Sequence, residues 1–370
     1  MQTFTRRTEM PVPSEQLFDW HDRRGAFERL TPPWQPVELA RFEGIRDGQR
    51  AVIKLGPAPF QLTWIAEHQD YEAGRQFRDV QVKGPFAAWT HTHRMLPADT
   101  PGRSVLEDHV EYQLPLAPAS EWLGGWKARR EFERLFAYRH RVTRTDLAYH
   151  AAAGFRSRRI AITGSTGLLG SALAAFLTTG GHAVVRLVRS REAARRLNRS
   201  EQERASYWDP DGGAIDPAAL EGVDAVVHLA GEPVYALRWS AEKKRRILQS
   251  RARGTRLLAE ALARLERPPS VLLSASASGF YGSRGDSVLT EASQPGDGFL
   301  ADVCRAWEDA TGPAEAAGIR VCHLRIGVVL SPAGGFLKLA LPAFRLGLGG
   351  TLGSGRQWVP WIALDDVLYA

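Results

Sequence analysis

The chain has 370 residues, enough for two domains, and its 44% hydrophobic and 24% charged residues are typical of a globular protein. Two cysteines are too few for a disulfide framework and indicate a reducing, cytoplasmic location; no apolar run approaches the ~20 residues of a membrane span. The net charge of +7 does not indicate a nucleic-acid partner, because its arginines are interleaved with acidic residues, as in 127–134.

Residues 1–150 are predicted to form an α+β domain. Thr3–Met10 alternates like a strand, and Pro13–Trp20 is typical of a helix with Ser14 as its cap. A long amphipathic helix is predicted over Ala119–Leu147. Between these helices, alternation and turn residues predict six strands: Pro36–Glu43, Arg50–Leu55, Phe60–Asp70, Gln76–Lys83, Ala87–Pro97 and Ser104–Leu114.

This order of a short helix, antiparallel strands and a long final helix resembles the START-like helix-grip superfamily, which includes polyketide cyclase-like and lipid- or quinone-carrying proteins. Local stretches at 25–34 and 84–89, together with His91 and His93, add to the resemblance. The superfamily encloses an apolar cavity between its curved sheet and its long helix. The resemblance therefore implies an apolar ligand for this domain.

His91 and His93 alternate on one predicted strand and so face the same side. A metal site is one interpretation of the pair. Polar packing beside Trp89 is the interpretation that we favour, because no third ligand stands out in the sequence. We therefore expect no metal.

A stretch of small and then basic residues, 151–158, is the predicted linker to a second domain at 159–370. That domain is organised around a strand, a glycine-rich turn and a helix start with the spacing G-x-x-G-x-x-G. The glycines permit a tight turn, close approach of a pyrophosphate and close helix packing, and the free amides at a helix start suit a phosphate. The cofactor contacts predicted here are Gly164, Ser165, Thr166, Gly167, Leu168, Leu169 and Gly170.

Strand and helix signals alternate from there onward, which predicts an α/β fold with a Rossmann-type, doubly wound parallel sheet. The second strand, Ala183–Val188, ends where an NAD site usually has an acidic residue for the ribose 2′-hydroxyl. Val188 stands there, and Arg189 follows it. Since an arginine would pair with a 2′-phosphate, NADP(H) is preferred as the cofactor, with NAD(H) as the alternative.

Further cofactor contacts are expected at the carboxyl ends of later strands, where ligands of parallel sheets gather. Asp209 either accepts a hydrogen bond from the adenine amino group or forms the turn before Pro210. A long helix is predicted over Ser240–Leu265, and a sixth strand over Val321–Leu330. The other contacts predicted in this region are Leu229, Ala230, Gly231, Ser274 and Ile326.

Short motifs run through the second half of the chain, at 229–233, 238–239, 243–244, 250–255, 276–282, 298–300, 307–308, 324–327, 334–335, 347–358, 361–362 and 365–366. On these motifs the half resembles the extended short-chain dehydrogenase/reductase superfamily, in its NAD-dependent epimerase/dehydratase group. It is most similar to the branch labelled epimerase-family protein, some of whose members carry an N-terminal helix-grip domain. The resemblance implies a further segment after Ala370, so the hypothesis is that the chain is truncated there.

The superfamily uses Ser and Tyr-x-x-x-Lys, with a Glu four residues after the lysine. Anchoring on Glu308 puts Cys304 in the lysine position and Leu300 in the tyrosine position, so both usual groups are missing. We predict that Ser276, with Ser278 as the alternative, and Tyr281 take the catalytic roles. Cys304 is either an acid or a buried small residue, and the second interpretation is favoured.

Substrate contacts are expected from the glycine-rich loop near the end of the chain. Arg356 is predicted to bind an anionic substrate, and Trp358 and Trp361 to form a wall of the same pocket. Other polar candidates are Arg238, Lys243 and Gln357.

Two functions fit these observations. The first is an NADP(H)-dependent oxidoreductase or epimerase-like enzyme with an unidentified small-molecule substrate, which the pocket residues Tyr281 and Arg356 favour. The second is a non-catalytic NADP(H)-binding sensor, or a carrier that couples the cofactor to an apolar ligand of the first domain. The missing Tyr and Lys favour this second function.

Overall fold

The computed structural model describes residues 1–115, 119–197, 202–235, 238–351 and 353–370, with the backbone alone for 119–124. These residues form two compact units, Met1–Arg156 with Thr179–Gly181, and Ser157–Thr178 with His182–Ala370. The domain limits expected from the sequence, 1–150 and 159–370 with a linker at 151–158, stay a prediction. None of the helices in the described ranges combines the length and apolar character that crossing a bilayer would require.

The first unit contains one antiparallel sheet of seven strands, in the order β1-β7-β6-β5-β4-β3-β2, and three helices. Aromatic side chains of β1, β6 and β7 pack against Phe132 and Phe136 of the long helix. The elements are β1 (Gln2–Met10), α1 (Ser14–Asp22), α2 (Ala26–Leu30), β2 (Val37–Phe42), β3 (Arg50–Leu55), β4 (Leu62–Glu72), β5 (Gln76–Lys83), β6 (Ala88–Pro97), β7 (Ser104–Gln113) and α3 (Ala119–Ala152).

The expected α+β arrangement is therefore present, with two differences in detail. Helix α1 begins at Ser14 itself, Pro13 holds the cap position, and no side-chain cap bond forms, so the predicted Ser14 cap is wrong. Proline is suited to a helix start because its fixed φ and missing N–H cost nothing there. Helix α3 continues five residues beyond the predicted end at Leu147, because Leu147 is itself buried in the core and anchors the last turns.

The second unit contains a seven-stranded sheet in the order β11-β10-β9-β8-β12-β13-β14, in which all pairs but β10–β11 are parallel. Its elements are β8 (Arg159–Thr163), α4 (Leu168–Thr179), β9 (Ala183–Val188), α5 (Arg191–Leu197), β10 (Glu203–Asp209), β11 (Ala214–Ile215), β12 (Ala225–His228), α6 (Ala241–Ala263), β13 (Val271–Ala277), α7 (Phe299–Asp309), α8 (Gly312–Ala316), β14 (Arg320–Ile326), β15 (Val328–Leu330), α9 (Gly335–Arg345), β16 (Trp361–Ala363) and α10 (Leu364–Tyr369).

The six parallel strands have the order of a doubly wound sheet, in which the third strand lies beside the second and the fourth beside the first. Alternate residues of β8 face opposite ways: Ile160 and Ile162 pack with α4, whereas Ala161 packs with α6. Both faces of the sheet are thus covered by helices. The predicted Rossmann-type fold class is confirmed.

The predicted sixth strand, Val321–Leu330, is wrong as a single element. The chain leaves the main sheet after Ile326, and β15 instead pairs with β16 in a separate two-stranded parallel sheet. Gly327 stands between the two strands, and a Cβ there would lie 2.7 Å from the Pro360 carbonyl oxygen. Because only glycine allows so close an approach of two backbones, this residue is where the chain changes sheets.

Candidate functional site

The glycine-rich turn between β8 and α4 is shaped by the backbone that surrounds it. Gly164 has φ +66°, and a Cβ there would lie 2.8 Å from the Leu229 carbonyl oxygen. A Cβ on Gly170 would lie 2.3 Å from the Gly164 carbonyl oxygen. Glycine is therefore required at both positions by the protein's own packing.

Gly167 differs from these two glycines because it is exposed. A Cβ there would approach only the Gly164 carbonyl oxygen, at 3.2 Å. Nearby, the Ser165 hydroxyl is buried and has no hydrogen-bond partner among the described residues. An open glycine, an unpartnered hydroxyl and the free amides at the start of α4 fit the diphosphate of a nicotinamide dinucleotide.

A chain of hydrogen bonds joins this turn to the end of β12. The Thr163 hydroxyl oxygen accepts from the backbone amides of Leu229 and Ala230, at 3.0 and 3.2 Å. Its proton is therefore free to go to His228 Nδ1, 2.7 Å away, and His228 Nε2 then donates to the Thr255 hydroxyl at 2.8 Å. The neutral imidazole that this pattern requires agrees with burial, which lowers the pKa of His228 to about 4.

The other predicted cofactor contacts lie along the same edge of the sheet. Arg189 is exposed directly after β9. Ser274 is buried within β13, and Ile326, partly buried, is the last residue of β14. The remaining predicted contacts surround the turns just described: Thr166 is exposed, and Leu168, Leu169, Leu229 and Ala230 are partly buried, with Gly231 exposed.

The sequence left two roles open for Asp209, turn formation and contact with adenine, and the structure shows the turn. Asp209 Oδ1 accepts from the backbone amides of Asp211 and Gly212, at 3.0 and 2.9 Å. These bonds, led by that of Gly212, hold the pKa of Asp209 below its usual value. The contact of Asp209 with adenine stays a prediction.

Two side chains, Glu308 and Arg325, link the two predicted catalytic residues, Ser276 and Tyr281. The Ser276 hydroxyl donates to Glu308 Oε1 at 2.6 Å. Both Glu308 oxygens accept from Arg325, through Nε and Nη2, each at 2.9 Å. Arg325 Nη1 donates to the Tyr281 hydroxyl oxygen at 3.0 Å. The carboxyl ends of β13 and β14 thus carry a continuous Ser276–Glu308–Arg325–Tyr281 network.

Charges within this network reinforce each other. Burial works against ionisation of Glu308, but hydrogen bonds from Arg325 and Ser276 outweigh it and hold the pKa of the carboxyl below its usual value. The bond to Glu308 raises the pKa of Arg325 above its usual value. Arg325 also lies over the Phe280 ring, with its Cζ 3.5 Å from the centroid. The guanidinium is fixed on several sides and permanently charged.

The structure leaves Cys304 and Leu300 without an evident chemical role. Cys304 is 2% exposed, and burial raises the pKa of its thiol, so the thiol stays protonated and inert. Its sulfur lies 3.7 Å from the Ala277 carbonyl oxygen. Ser276 also points inward, because its proton goes to Glu308; Ser278, which opens the 3-10 turn Ser278–Tyr281, is partly buried.

The predicted substrate contacts of the last loop are exposed. Arg356 is exposed, and Trp358 and Trp361 are 76% and 64% exposed; that these residues contact a substrate stays a prediction. Trp358 Nε1 donates to Asp286 Oδ1 at 2.7 Å. Lys243, another candidate, is paired with Glu232 at 2.6 Å, while Arg238 is exposed.

Sequence reasoning used Glu308 only as an alignment anchor and gave Arg325 no role. One signal was available: Arg325 lies inside an otherwise largely apolar strand, where a charged side chain needs a partner. The sequence could not predict which residues pair with Arg325, because both are distant in the chain. Glu308 lies on α7, and Tyr281 lies on a turn 44 residues before Arg325. In the first unit, Asp79 was likewise missed as a third neighbour of His91 and His93.

Some known proteins resemble the second half of the chain, and one solved structure resembles nearly all of it. Epimerase family protein Mb2239 of Mycobacterium bovis is 46% identical over 211 residues, 57% of this chain and 67% of that protein. Epimerase family protein YfhF of Bacillus subtilis is 36% identical over 210 residues, 56% of this chain and 66% of that protein. The crystal structure of a nucleoside-diphosphate sugar epimerase from Corynebacterium glutamicum has a TM-score of 0.80 at 38% identity, covering 99% of this chain and 74% of the other.

The first two similarities involve a little over half of the chain, whereas the third extends over nearly all of it. Residues 160–370, the part that carries the glycine-rich turn and the Ser276–Glu308–Arg325–Tyr281 network, match the family described as NAD dependent epimerase/dehydratase. The chain belongs to the NAD dependent epimerase/dehydratase family.

Proposed function

We propose that the second unit binds NADP(H) and acts as an oxidoreductase or epimerase-like enzyme on a small-molecule substrate. The observation that carries the proposal is the network that joins Ser276 to Tyr281 through Glu308 and Arg325. It lies at the carboxyl ends of strands in a sheet whose first turn fits a dinucleotide. The similar Corynebacterium protein, described as a nucleoside-diphosphate sugar epimerase, supports a substrate of that chemical class.

When bound, the nicotinamide dinucleotide supplies hydride exchange. The chain's own contribution centres on Tyr281. A guanidinium has donors only, so the Tyr281 oxygen must be the acceptor of the bond from Arg325. The phenol proton is then free to point toward a substrate oxygen, and Tyr281 is the proposed proton donor and acceptor. Arg325 takes the place of the lysine that the superfamily uses, and Glu308 holds it in position.

NADP(H) is preferred over NAD(H) because the end of β9 is rich in arginine. Arg189 is exposed there, and its positive charge contributes to the lowered pKa of Glu232, after the larger effect of Lys243. Arg191 and Arg195 of α5 line a shallow pocket of about 260 Å³ with Tyr207. Three cationic side chains in one region suit the extra phosphate of NADPH.

The cofactor assignment is tested with calorimetry on the full chain and on Arg189→Ala. We expect the variant to bind NADPH roughly 10- to 100-fold more weakly, since a charged hydrogen bond is worth about 1.5–3 kcal/mol, while NADH binding stays within about twofold. Arg264→Ala, which removes an 80% exposed arginine of the same unit, is the matched control. Equal losses for both cofactors would contradict the NADP(H) preference.

A non-catalytic sensor or carrier is the second proposal. It is favoured by Ser276, whose proton goes to Glu308 rather than outward, and by Leu300 and Cys304 in the usual Tyr and Lys positions. In this proposal the first unit, whose antiparallel sheet and 34-residue final helix support a START-like helix-grip assignment, carries an apolar ligand. A cytoplasmic location, consistent with the two free cysteines, belongs to both proposals.

Turnover separates the two proposals. NADPH oxidation is followed with a panel of carbonyl compounds, the formation of epimers from a panel of nucleotide sugars is followed by NMR, and mass spectrometry identifies any lipid or quinone that co-purifies. Turnover of any member supports the enzyme. Silence across both panels with NADPH binding intact supports the sensor, and a recovered apolar molecule supports the carrier.

A further inference from the structure

Two histidines and two aspartates meet inside the first unit, on three neighbouring strands. Asp79 lies on β5, His91 and His93 on β6, and Asp108 on β7. The strand register sets Asp79 opposite His91, and His93 opposite Asp108. Because residues two apart on a strand face the same side, the register brings all four side chains to one face of the sheet.

Three of these side chains converge on a common point. Asp79 Oδ1 lies 3.3 Å from His91 Nδ1 and 3.5 Å from His93 Nε2, and one ligand atom of each residue lies within 4.8 Å of the others. Ligands that bind one zinc ion tetrahedrally at about 2.0–2.2 Å are roughly 3–3.6 Å apart. The spacing of the three atoms therefore suits a single metal ion with only small movements.

The atoms of these side chains that point away from the common point, namely the second ring nitrogens and the second Asp79 oxygen, have neighbours typical of metal sites. Asp108 Oδ1 lies 3.0 Å from His91 Nε2 and 2.7 Å from His93 Nδ1, the latter off the hydrogen-bond axis. Trp89 Nε1 donates to the second Asp79 oxygen at 3.1 Å. Metal-bound histidines usually give their other ring N–H to a carboxylate, and metal-bound carboxylates are usually hydrogen-bonded in turn.

Further contacts fix this outer layer. Asp108 Oδ2 accepts from His140 Nε2 at 2.8 Å, and the His93 ring stacks on Phe77 with centroids 4.3 Å apart. The rings of His91 and His93 are 3.9 Å apart between centroids, so the two imidazoles lie side by side. A shared dication would balance the two buried carboxylates and join the two rings. The Asp79 side chain is 17% exposed, whereas those of His91 and His93 are 3% and 9% exposed.

We propose that Asp79, His91 and His93 bind a divalent transition-metal ion of the Zn²⁺ class. Asp108 is a positioning residue: it orients His91 through a hydrogen bond to the far nitrogen and lies beside the far nitrogen of His93. Three protein ligands leave at least one coordination position for water or a small ligand, as in catalytic rather than structural zinc sites. The expectation of polar packing without metal rested on the missing third ligand, which Asp79 of the neighbouring strand supplies.

The test uses the full chain without a histidine tag, treated with EDTA and then dialysed against Zn²⁺. We expect about one zinc per chain by elemental analysis, and visible absorption of bound Co²⁺ that Zn²⁺ displaces. Asp79→Asn and His93→Gln should each weaken Zn²⁺ binding at least 100-fold. Asp108→Asn should weaken it by about 10- to 100-fold, as for other residues that hold a ligand in place.

His109→Asn is the matched control, because His109 lies beside Asp108 on β7 but contacts Thr5 instead of the cluster. Its Zn²⁺ affinity should equal that of the wild type. If the Asp79 and His93 variants do not fold, anomalous diffraction from a Zn²⁺-soaked wild-type crystal decides. A peak between the three ligand atoms supports the site; no peak there, no zinc uptake by the wild type, or equal affinities of Asp79→Asn and His109→Asn would overturn it.

Discussion

Arg325 connects the other side chains of the proposed site. It occupies an interior position of β14, its fork pairs with both oxygens of Glu308, and its remaining nitrogen reaches Tyr281. A lysine could not make these three contacts in fixed directions, because its ammonium is a point charge on a rotatable stem. The residue therefore serves as a rigid mount for the tyrosine as well as a cation.

Tyr281→Phe removes only the proposed proton carrier. For any compound that the wild type turns over, we expect the variant to lose roughly 10²- to 10⁴-fold in kcat, the usual size of an acid–base contribution, with NADPH affinity within twofold. Steady-state kinetics and calorimetry measure the two effects. Tyr235→Phe, which changes a 62% exposed tyrosine of the same unit, is the control. An unchanged kcat would remove Tyr281 from the mechanism.

The turn between β8 and α4 is held in place by close backbone packing and by hydrogen bonds to a neighbouring strand. Gly164 and Gly170 are held against backbone atoms, and Thr163 joins the turn to the end of β12 through two amides. The first strand, the helix and the fourth strand therefore share one interlocked junction. Movement of α4 is expected to disturb the cofactor-binding amides and the sheet together.

Gly170→Ala tests this junction. The new methyl group would lie 2.3 Å from a backbone oxygen, so α4 must shift. We expect a loss of about 1–3 kcal/mol in unfolding free energy, as for other overpacked sites, and weaker NADPH binding. Gly312→Ala, at a helical glycine with nothing within 4 Å of the new atom, should be neutral or stabilising. Equal behaviour of the two variants in denaturation and calorimetry would contradict the steric account.

At the scale of the whole molecule, locally encoded features were predictable from the sequence. The strands Arg50–Leu55, Gln76–Lys83 and Ala183–Val188 have the expected limits, because alternation or an apolar run and flanking turn residues lie within the segment itself. The Ser276–Glu308 bond, the Asp79–His91 pairing and the β15–β16 sheet depend on strand register and on residues far apart in the chain. No local pattern carries that information.

Acid stability of the second unit is expected to depend on His228. Its pKa is lowered by burial from 6.5 to about 4, so the unfolded chain binds the proton more readily than the folded one. The contribution to stability is complete above about pH 6.5 and is lost as the pH falls toward 4, by about 3 kcal/mol at 1.36 kcal/mol per pH unit.

Hydrogen exchange measures this effect locally. The amides of β12, which ends at His228, and of its neighbours β8 and β13 should lose protection free energy between pH 6.5 and 4.5, and His228→Gln should flatten that dependence. His182→Gln, which changes a partly buried histidine outside the network, should leave the slope unchanged. A wild-type protection free energy that does not vary with pH would refute the buried neutral imidazole.

The bond from Arg325 to Tyr281 has a consequence for how such proteins are found. When a cation and a phenol share one helix turn, a short text pattern detects both at once. Here the two groups reach each other from a strand and a 3-10 turn, so the number of residues between them is free to differ among proteins with the same arrangement. Scanning coordinates for a guanidinium beside a tyrosine oxygen, instead of scanning sequences for a fixed spacing, would find proteins with this arrangement that a sequence pattern misses.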